Sequence, residues 1–413
     1  MQKMKEMTTE YIAGHLINED FYKYIRENIA TTDVMKLILK SDKCDFDKKF
    51  AVLQIECRNK YATKLSEILS NEKYLFPKSI CGEQCTHETI AKLHATLFHP
   101  GENVLDMTMG LGVDTYYISK IVDSVDAIEY DETIAQINEY NFRNIARNVR
   151  IYNDDSTNFL KSTDKHYSTI FIDPARRDAN NKRMYGFHDC LPDVIELLPI
   201  IREHSSRLII KASPMLDIKK SLEELTHVCD IWIVAIKNSC KELLYVLDFE
   251  KNTLYQDAAV HTINYDNSIQ QFDFKIGDNA PSTCYAEDDA LRPGTVLMEP
   301  NSCIIKGGKC DILSKKYPSI IKISANSHLF VSESLIDDFP GRQFVIEEII
   351  PFKDKNIRKF KATYKTLNVS TRNFKLTSEQ LKSRLGVKDG GDKYLFGTTL
   401  SNGAMMLIMC RKP

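Results

Sequence analysis

The run DMTMGLGVDT sets Asp106 at the end of an apolar, strand-like segment, Gly110 and Gly112 in the turn beyond it, and Asp114 at the start of the next helix. Open α/β sheets bind ligands at the carboxyl ends of their strands, so Asp106, Thr108, Gly110, Gly112 and Asp114 form a candidate cofactor loop. A dinucleotide fingerprint wants a third glycine three residues after Gly112, where Thr115 stands, and an acid at the strand end faces a pyrophosphate with the wrong sign. S-adenosylmethionine carries no phosphate and bears an ammonium and a sulfonium, which an acid beside a glycine turn suits. Glu129, followed by Tyr130, ends the second strand, where a carboxylate can accept from both ribose hydroxyls. After the third strand, NDDS offers Asp154 or Asp155 to an adenine amino group, with Ser156 beside them. The bland alternatives are a helix N-cap for Asp155 and Ser156 and an exposed acid for Glu129.

The fourth strand ends in IDPARRD, which makes Asp173 and Pro174 the candidate reacting edge. Methyl transfer from a sulfonium is an in-line displacement, so the protein mainly has to hold the acceptor in line, and Asp173 could accept a hydrogen bond from an exocyclic amine. An ordinary Asp-Pro turn is the competing reading. Arg176 and Arg177 could clamp a substrate phosphate or carboxylate, or pair with acids such as Asp178. Ser213-Pro214 lines the acceptor pocket or merely ends the fifth strand. Cys240 in KNSCKE raises a covalent nucleophile, but nothing nearby supplies a supporting base. Cys81 and Cys85 have only His87 behind them, short of zinc-site spacing, and no metal is expected.

The elements that must carry these residues follow from periodicity. Residues 8–75 show helical spacing (Val34, Leu37, Ile38; Phe50, Leu53, Ile55), which predicts a helical domain over 1–80. Strand-like runs then alternate with helices: NVLDM, SVDAIEY, VRIYN, STIFIDP, RLIIKAS, DIWIVAI and ELLYVLDFE. The last two are separated only by NSCK, too short for a crossover helix, so they require an antiparallel hairpin. Short strands beyond residue 251 predict compact α+β modules. Within them, residues 352–375 hold eight Lys or Arg against one Asp. Lys359, Lys361 and Arg372, with Phe360 and Tyr364 between the charges, form a candidate RNA surface; a solvated, charge-rich strand face is the alternative.

Composition excludes several classes. The 413 residues suggest two or three domains, and 43 % apolar with 27 % charged residues is ordinary globular usage, neither collagen-like nor disordered. With 55 basic and 57 acidic residues, any nucleic-acid contact must be a local patch. Eleven cysteines, an odd and scattered set, fit a reducing cytoplasm. The amino-terminal stretch has no cleavable apolar core and no run approaches a membrane span, so a cytoplasmic location with no membrane contact is expected.

The DxTxGxGxDT loop, Glu129, NDDS, the IDP motif and the strand succession resemble the class I S-adenosylmethionine-dependent methyltransferases over about residues 86–250. Farther on, LMEPNSCIIKGG, ANSHLF and RNFKLTSEQLKSRLG with its GG turn are similar to the bacterial THUMP-like-domain methyltransferase family, whose members carry a ferredoxin-like module and a THUMP-like tail. The resemblance implies an α/β fold with a Rossmann-like seven-stranded methyltransferase sheet in the order 3-2-1-4-5-7-6. It implies a methyltransferase domain over 81–250, a ferredoxin-like module over 251–325 and a THUMP-like module over 326–413. Because THUMP modules in related enzymes bind RNA, it further implies tRNA or rRNA as substrate. In familiar amino-methyltransferases the Asp is followed by Pro-Pro and an aromatic; Ala175 and Arg176 stand there instead, which leaves the methylated atom open. Two other readings compete: a methyltransferase of a small molecule or protein, and a catalytically silent RNA-binding protein.

Overall fold

A computed structural model describes residues 10–31, 33–40, 43–176, 186–279, 285–286 and 290–413. The chain forms two compact units, the first comprising residues 1–212, 219–227 and 245–252 and the second 213–218, 228–244 and 253–413. No helix among the described residues is long and apolar enough to cross a membrane.

The first unit opens with a short hairpin, Glu10–Ile12 against His15–Ile17, and then helices, chief among them α1 (Glu19–Asn28) and α2 (Lys48–Tyr61). Asn18 and Asp47 cap these helices by accepting from the backbone N–H of Phe21 and Phe50. Beyond one short 3-10 turn (Ile68–Ser70), the stretch from α2 to Phe76 has no regular structure, yet Tyr74, Leu75 and Phe76 are fully buried. Two side-chain amides replace a partner strand there. Gln54 bonds both the N–H (2.7 Å) and the carbonyl (3.0 Å) of Phe76, and Asn141 does the same for Leu75 at 2.8 and 2.9 Å. Satisfied in this way, the backbone can stay dry while three large side chains each contribute about 1.5–3 kcal/mol of burial. Helix α3 (Glu88–Ala95) follows.

The central sheet is built from β1 (Asn103–Asp106), β2 (Ser124–Glu129), β3 (Val149–Asn153), β4 (Thr169–Ile172), β5 (Arg207–Ala212), β6 (Val228–Ile236), β7 (Ser239–Asp248), β8 (Ala259–Tyr265) and β9 (Ile269–Lys275). Its hydrogen-bonded order is β3-β2-β1-β4-β5-β7-β6-β8-β9. Strands β1 to β5 are mutually parallel, with α4 (Val113–Ser119), α5 (Glu132–Ile145), α6 (Ser156–Ser162) and α7 (Val194–His204) along the crossovers. In β1 and β4 nearly every residue is buried, the mark of strands covered on both faces. Lys237 and Asn238 join β6 to β7 at φ 51° and 60°, the geometry of a tight hairpin.

The sheet has nine strands rather than the seven expected from sequence. Residues 259–275 alternate apolar and polar side chains, which reads equally as an edge hairpin or as the start of a separate module. In the structure β8 runs parallel to β6 over seven paired positions and β9 returns antiparallel to β8.

The second sheet contains β10 (Val296–Pro300), β11 (Ile321–Lys322), β12 (Phe330–Ser332), β13 (Gly341–Pro351), β14 (Asn368–Arg372), β15 (Lys393–Thr399) and β16 (Met405–Arg411), ordered β11-β12-β10-β13-β16-β15-β14. Helices α8 (Asp354–Thr363) and α9 (Ser378–Leu385) pack Ile357, Phe360, Leu381 and Leu385 onto it. Glu299 of β10 is wholly buried, and Arg342 (Nε at 2.9 Å) and Arg372 (2.8 Å) converge on its carboxylate. Arg372 belongs to the edge strand β14, so this ion pair links that edge to β10 across the three strands between them. Both guanidinium groups keep water contact, which limits what their loss would cost. Glu299→Gln is expected to destabilise the second unit by about 2 kcal/mol, within the range for removing one member of a buried ionic group. Urea unfolding monitored by a probe in that unit checks this.

Candidate active site

The carboxyl ends of β1, β2 and β4 meet the loop after β1. Asp106 is fully buried, and its carboxylate accepts from the backbone N–H of Thr108 (3.0 Å) and from the Thr115 hydroxyl (2.6 Å). Thr115, the residue that spoils a dinucleotide fingerprint, is therefore the donor that this acid needs. Thr108 in turn accepts from the N–H of Asp173 at 2.7 Å, joining the loop to the end of β4. Gly110 donates to Glu129 (2.9 Å), and its carbonyl accepts from Asn138 of α5 (2.7 Å). From below, the buried Tyr74 hydroxyl donates to the Leu111 carbonyl at 3.0 Å.

The two glycines do different work. Both lie at positive φ, 54° for Gly110 and 74° for Gly112. A Cβ on Gly112 would come within 2.7 Å of the Phe142 ring, whereas one on Gly110 would meet nothing within 4 Å. Gly112 is needed for packing, and Gly110 faces open space in which a ligand can approach the backbone.

Glu129 is only partly exposed, and its other oxygen accepts from Asp131 N–H at 2.8 Å. Burial pushes its carboxyl up, opposed by these backbone donors. Tyr130 presents an exposed ring beside it. Asp155 caps α6 by accepting from Thr157 and Asn158 N–H, so the local capping reading describes it and Ser156 is the first residue of that helix. Asp154 is exposed next to Glu129, whose carbonyl accepts its N–H at 3.3 Å. Asp114 does not face the loop's open side; it turns back to Thr86 and His94. Burial raises its carboxyl, but Lys211 and His94 more than offset this and hold it below the ordinary carboxylate range.

Asp173 keeps 39 % of its side chain exposed and accepts from Lys211 Nζ at 2.6 Å. Beyond Pro174, Ala175–Arg176 bridge antiparallel to Cys190–Leu191, so the segment continues extended where the familiar motif would put an aromatic. Only the backbone of Arg176 is described, and Arg177 lies outside the described residues. Lys211, Thr86 and His94 were not singled out in the sequence. The available signal was a lysine ending the apolar strand RLIIKA, a charge where a doubly covered strand tolerates one only with partners.

In the second unit, Lys355, Arg358, Lys359, Lys361 and Lys365 are exposed on or just after α8 and meet no carboxylate among the described residues. Residues 354–363 are helical rather than a strand face, and Phe360 is core, so it offers no stacking surface. Arg372 is engaged by Glu299. Cys240 is the second residue of β7, with its thiol shifted down by a hydrogen bond with Cys303. Cys81 is buried, Cys85 donates to the Gly82 carbonyl, and no metal-holding cluster occurs among the described residues.

Burial raises the Asp106 carboxyl to about 7, against the pull of Thr115 and Thr108. With the folded value above the unfolded value of 3.8, the folded state binds the extra proton between the two, and this group's contribution to stability is lost as pH rises through that window. The stability of wild type relative to Asp106→Asn is expected to fall by up to about 1.4 kcal/mol per pH unit between about pH 4 and 7, and to level off above. Denaturant melts of both proteins at stepped pH check the sign.

Comparison with known proteins places this geometry. A ferredoxin-like domain model matches residues 297–340 and a THUMP domain-like model matches 341–412. A crystal structure of a candidate methyltransferase from Porphyromonas gingivalis W83 superposes with a TM-score of 0.84 at 26 % identity, over 95 % of this chain and 97 % of that one. An uncharacterized RNA methyltransferase of Mycoplasma mobile is 33 % identical over 79 residues, 18 % of this chain and 21 % of that protein, so the chain spans about a fifth of this curated relative. A doubly wound sheet carrying an acid-and-glycine loop, followed by ferredoxin-like and THUMP domain-like modules in tandem, makes the chain similar along nearly its whole length to that candidate methyltransferase.

Proposed function

We propose that the protein transfers a methyl group from S-adenosylmethionine to a nucleotide of RNA, with Asp173 facing the acceptor and the basic face of α8 contacting RNA phosphates. The observation that carries this reading is that Glu129, Asp154 and Asp173 stand at the carboxyl ends of three strands of one sheet, Glu129 bonded to the Gly110 N–H and Asp173 to Thr108, in a loop that Asp106 sets. That edge is rich in carboxylates and poor in cations directed outward, which suits a cationic, phosphate-free cofactor.

The residues present fit such a group. Glu129 holds the carboxylate suited to ribose hydroxyls, Tyr130 offers a flat exposed face to an adenine, and Asp154 an acceptor for its amino group. Gly110 leaves the space over its backbone clear. When bound, S-adenosylmethionine supplies a methyl on a sulfonium, the carbon–sulfur bond breaking with its electron pair left on sulfur as the acceptor's lone pair forms the new bond. Asp173 accepts from the acceptor's N–H and so aims that lone pair. The THUMP-like domain and the Mycoplasma relative named as an RNA methyltransferase support RNA as the substrate class.

The deciding experiment compares modified nucleosides in RNA from cells with and without the protein. One methylated nucleoside is expected to disappear, and purified protein should restore it in that RNA with labelled cofactor. Asp173→Ala should lower this transfer at least a hundredfold while cofactor binding by calorimetry persists. Unchanged nucleosides together with absent transfer would remove the RNA reading and leave a small-molecule or protein acceptor.

Lys359→Glu with Lys361→Glu is expected to weaken RNA binding and to lower the slope of log affinity against log salt by about 2, one for each phosphate no longer neutralised. Filter binding from 50 to 200 mM salt measures it, and an unchanged slope would move the RNA surface away from α8.

A further inference from the structure

Behind Asp173 lies a chain of polar groups with no part in holding the cofactor. Lys211, next to last in β5, donates from Nζ to Asp173 Oδ2 at 2.6 Å and to the Thr86 hydroxyl at 2.8 Å, and stands 3.8 Å from Asp114 Oδ2. Asp114 accepts from Thr86 and from Nδ1 of the fully buried His94 (2.7 Å). Lys211 and Asp114 are each 12 % exposed, against 39 % for Asp173. An ammonium so far out of water is costly unless carboxylates compensate it, and here one lies on each side with a hydroxyl between. Lysine, a compact point charge with donors in three directions, suits this crowded position better than a flat guanidinium.

We propose that Lys211 is a positioning residue for methyl transfer: it fixes Asp173 as an ionised hydrogen-bond acceptor aimed at the N–H of the group being methylated. The proposal rests on the reading that Asp173 faces the acceptor. An ammonium in direct contact favours the charged form of a carboxylate and makes it a poorer base. Asp173 therefore orients the acceptor nitrogen without taking its proton, which passes to solvent after the new bond has formed. Asp114 and His94 act one step farther back, holding Lys211 in place, so its rotamer is set by groups the substrate never touches.

The test uses the full chain, labelled S-adenosylmethionine and RNA from cells lacking the protein, with kcat/KM measured across pH. Lys211→Met is expected to lower kcat/KM ten- to a hundredfold and to move the acidic limb of the profile to higher pH, with cofactor affinity within twofold of wild type. Lys211→Arg should return the limb to its wild-type place and recover part of the rate. Thr86→Val removes one anchor without stranding a charge and should lower kcat severalfold; it decides the matter if Lys211→Met does not fold. A Lys211→Met profile superimposable on wild type, or wild-type kcat in Thr86→Val, overturns the proposal. Wild-type transfer by Asp173→Asn would instead defeat the underlying reading of Asp173. Transfer lost in Asp173→Asn but an unmoved limb in Lys211→Met would defeat the role of Lys211 alone.

Discussion

A carboxylate at the carboxyl end of a doubly covered parallel strand has no access to water and must find its donors in the protein. Asp106 meets that requirement with the N–H of Thr108, two residues on in its own loop, and the Thr115 hydroxyl in the first turn of the next helix. Each donor constrains a different piece of chain, so one buried acid determines where the loop leaves the strand and where α4 begins. Everything at the sheet edge depends on this. Thr108, held by Asp106 through its N–H, receives Asp173 N–H on its hydroxyl, and Gly110 reaches Glu129 only because the loop has already been turned. Asp106 thus shapes the loop from within, while Asp154 is exposed and Glu129 and Asp173 keep partial access to solvent.

How legible this was in the sequence depends on the range of each interaction. The acid, the two glycines and Glu129 could be read because strand ends and tight turns impose local rules within a few residues. Asp155 as an N-cap was equally local, and it competed with a ligand role until its two backbone partners were known. Lys211 was illegible for the opposite reason: its partners Thr86, Asp114 and Asp173 sit on three other segments, and no spacing rule joins them. The strands at 259–275 were recognisable as strands, but their alternation carries no information on which sheet they will join.

The basic segment of the second unit shows a related ambiguity. Its charges were counted correctly, yet charge count is silent on whether the carrier is strand or helix. On a helix, Ile357 and Phe360 turn inward and the cations outward, so the aromatic between the charges becomes core. Arg372, which belongs to the same run in sequence, is drawn away by Glu299, 73 residues upstream. A buried acid selects among nearby arginines by geometry, and only those without such a partner remain for other ligands.

The amide clamps on Leu75 and Phe76 have a bearing on the glycine loop as well. Tyr74, immediately before them, props the Leu111 carbonyl, and Asn141, one of the clamps, lies three residues beyond the Asn138 that holds Gly110. The irregular stretch upstream of the sheet is therefore the loop's foundation rather than an appendage. A fragment cut to keep only the alternating strands and helices would lose the Gln54 and Tyr74 supports together, so the shortest stretch capable of preserving the turn must begin ahead of α2.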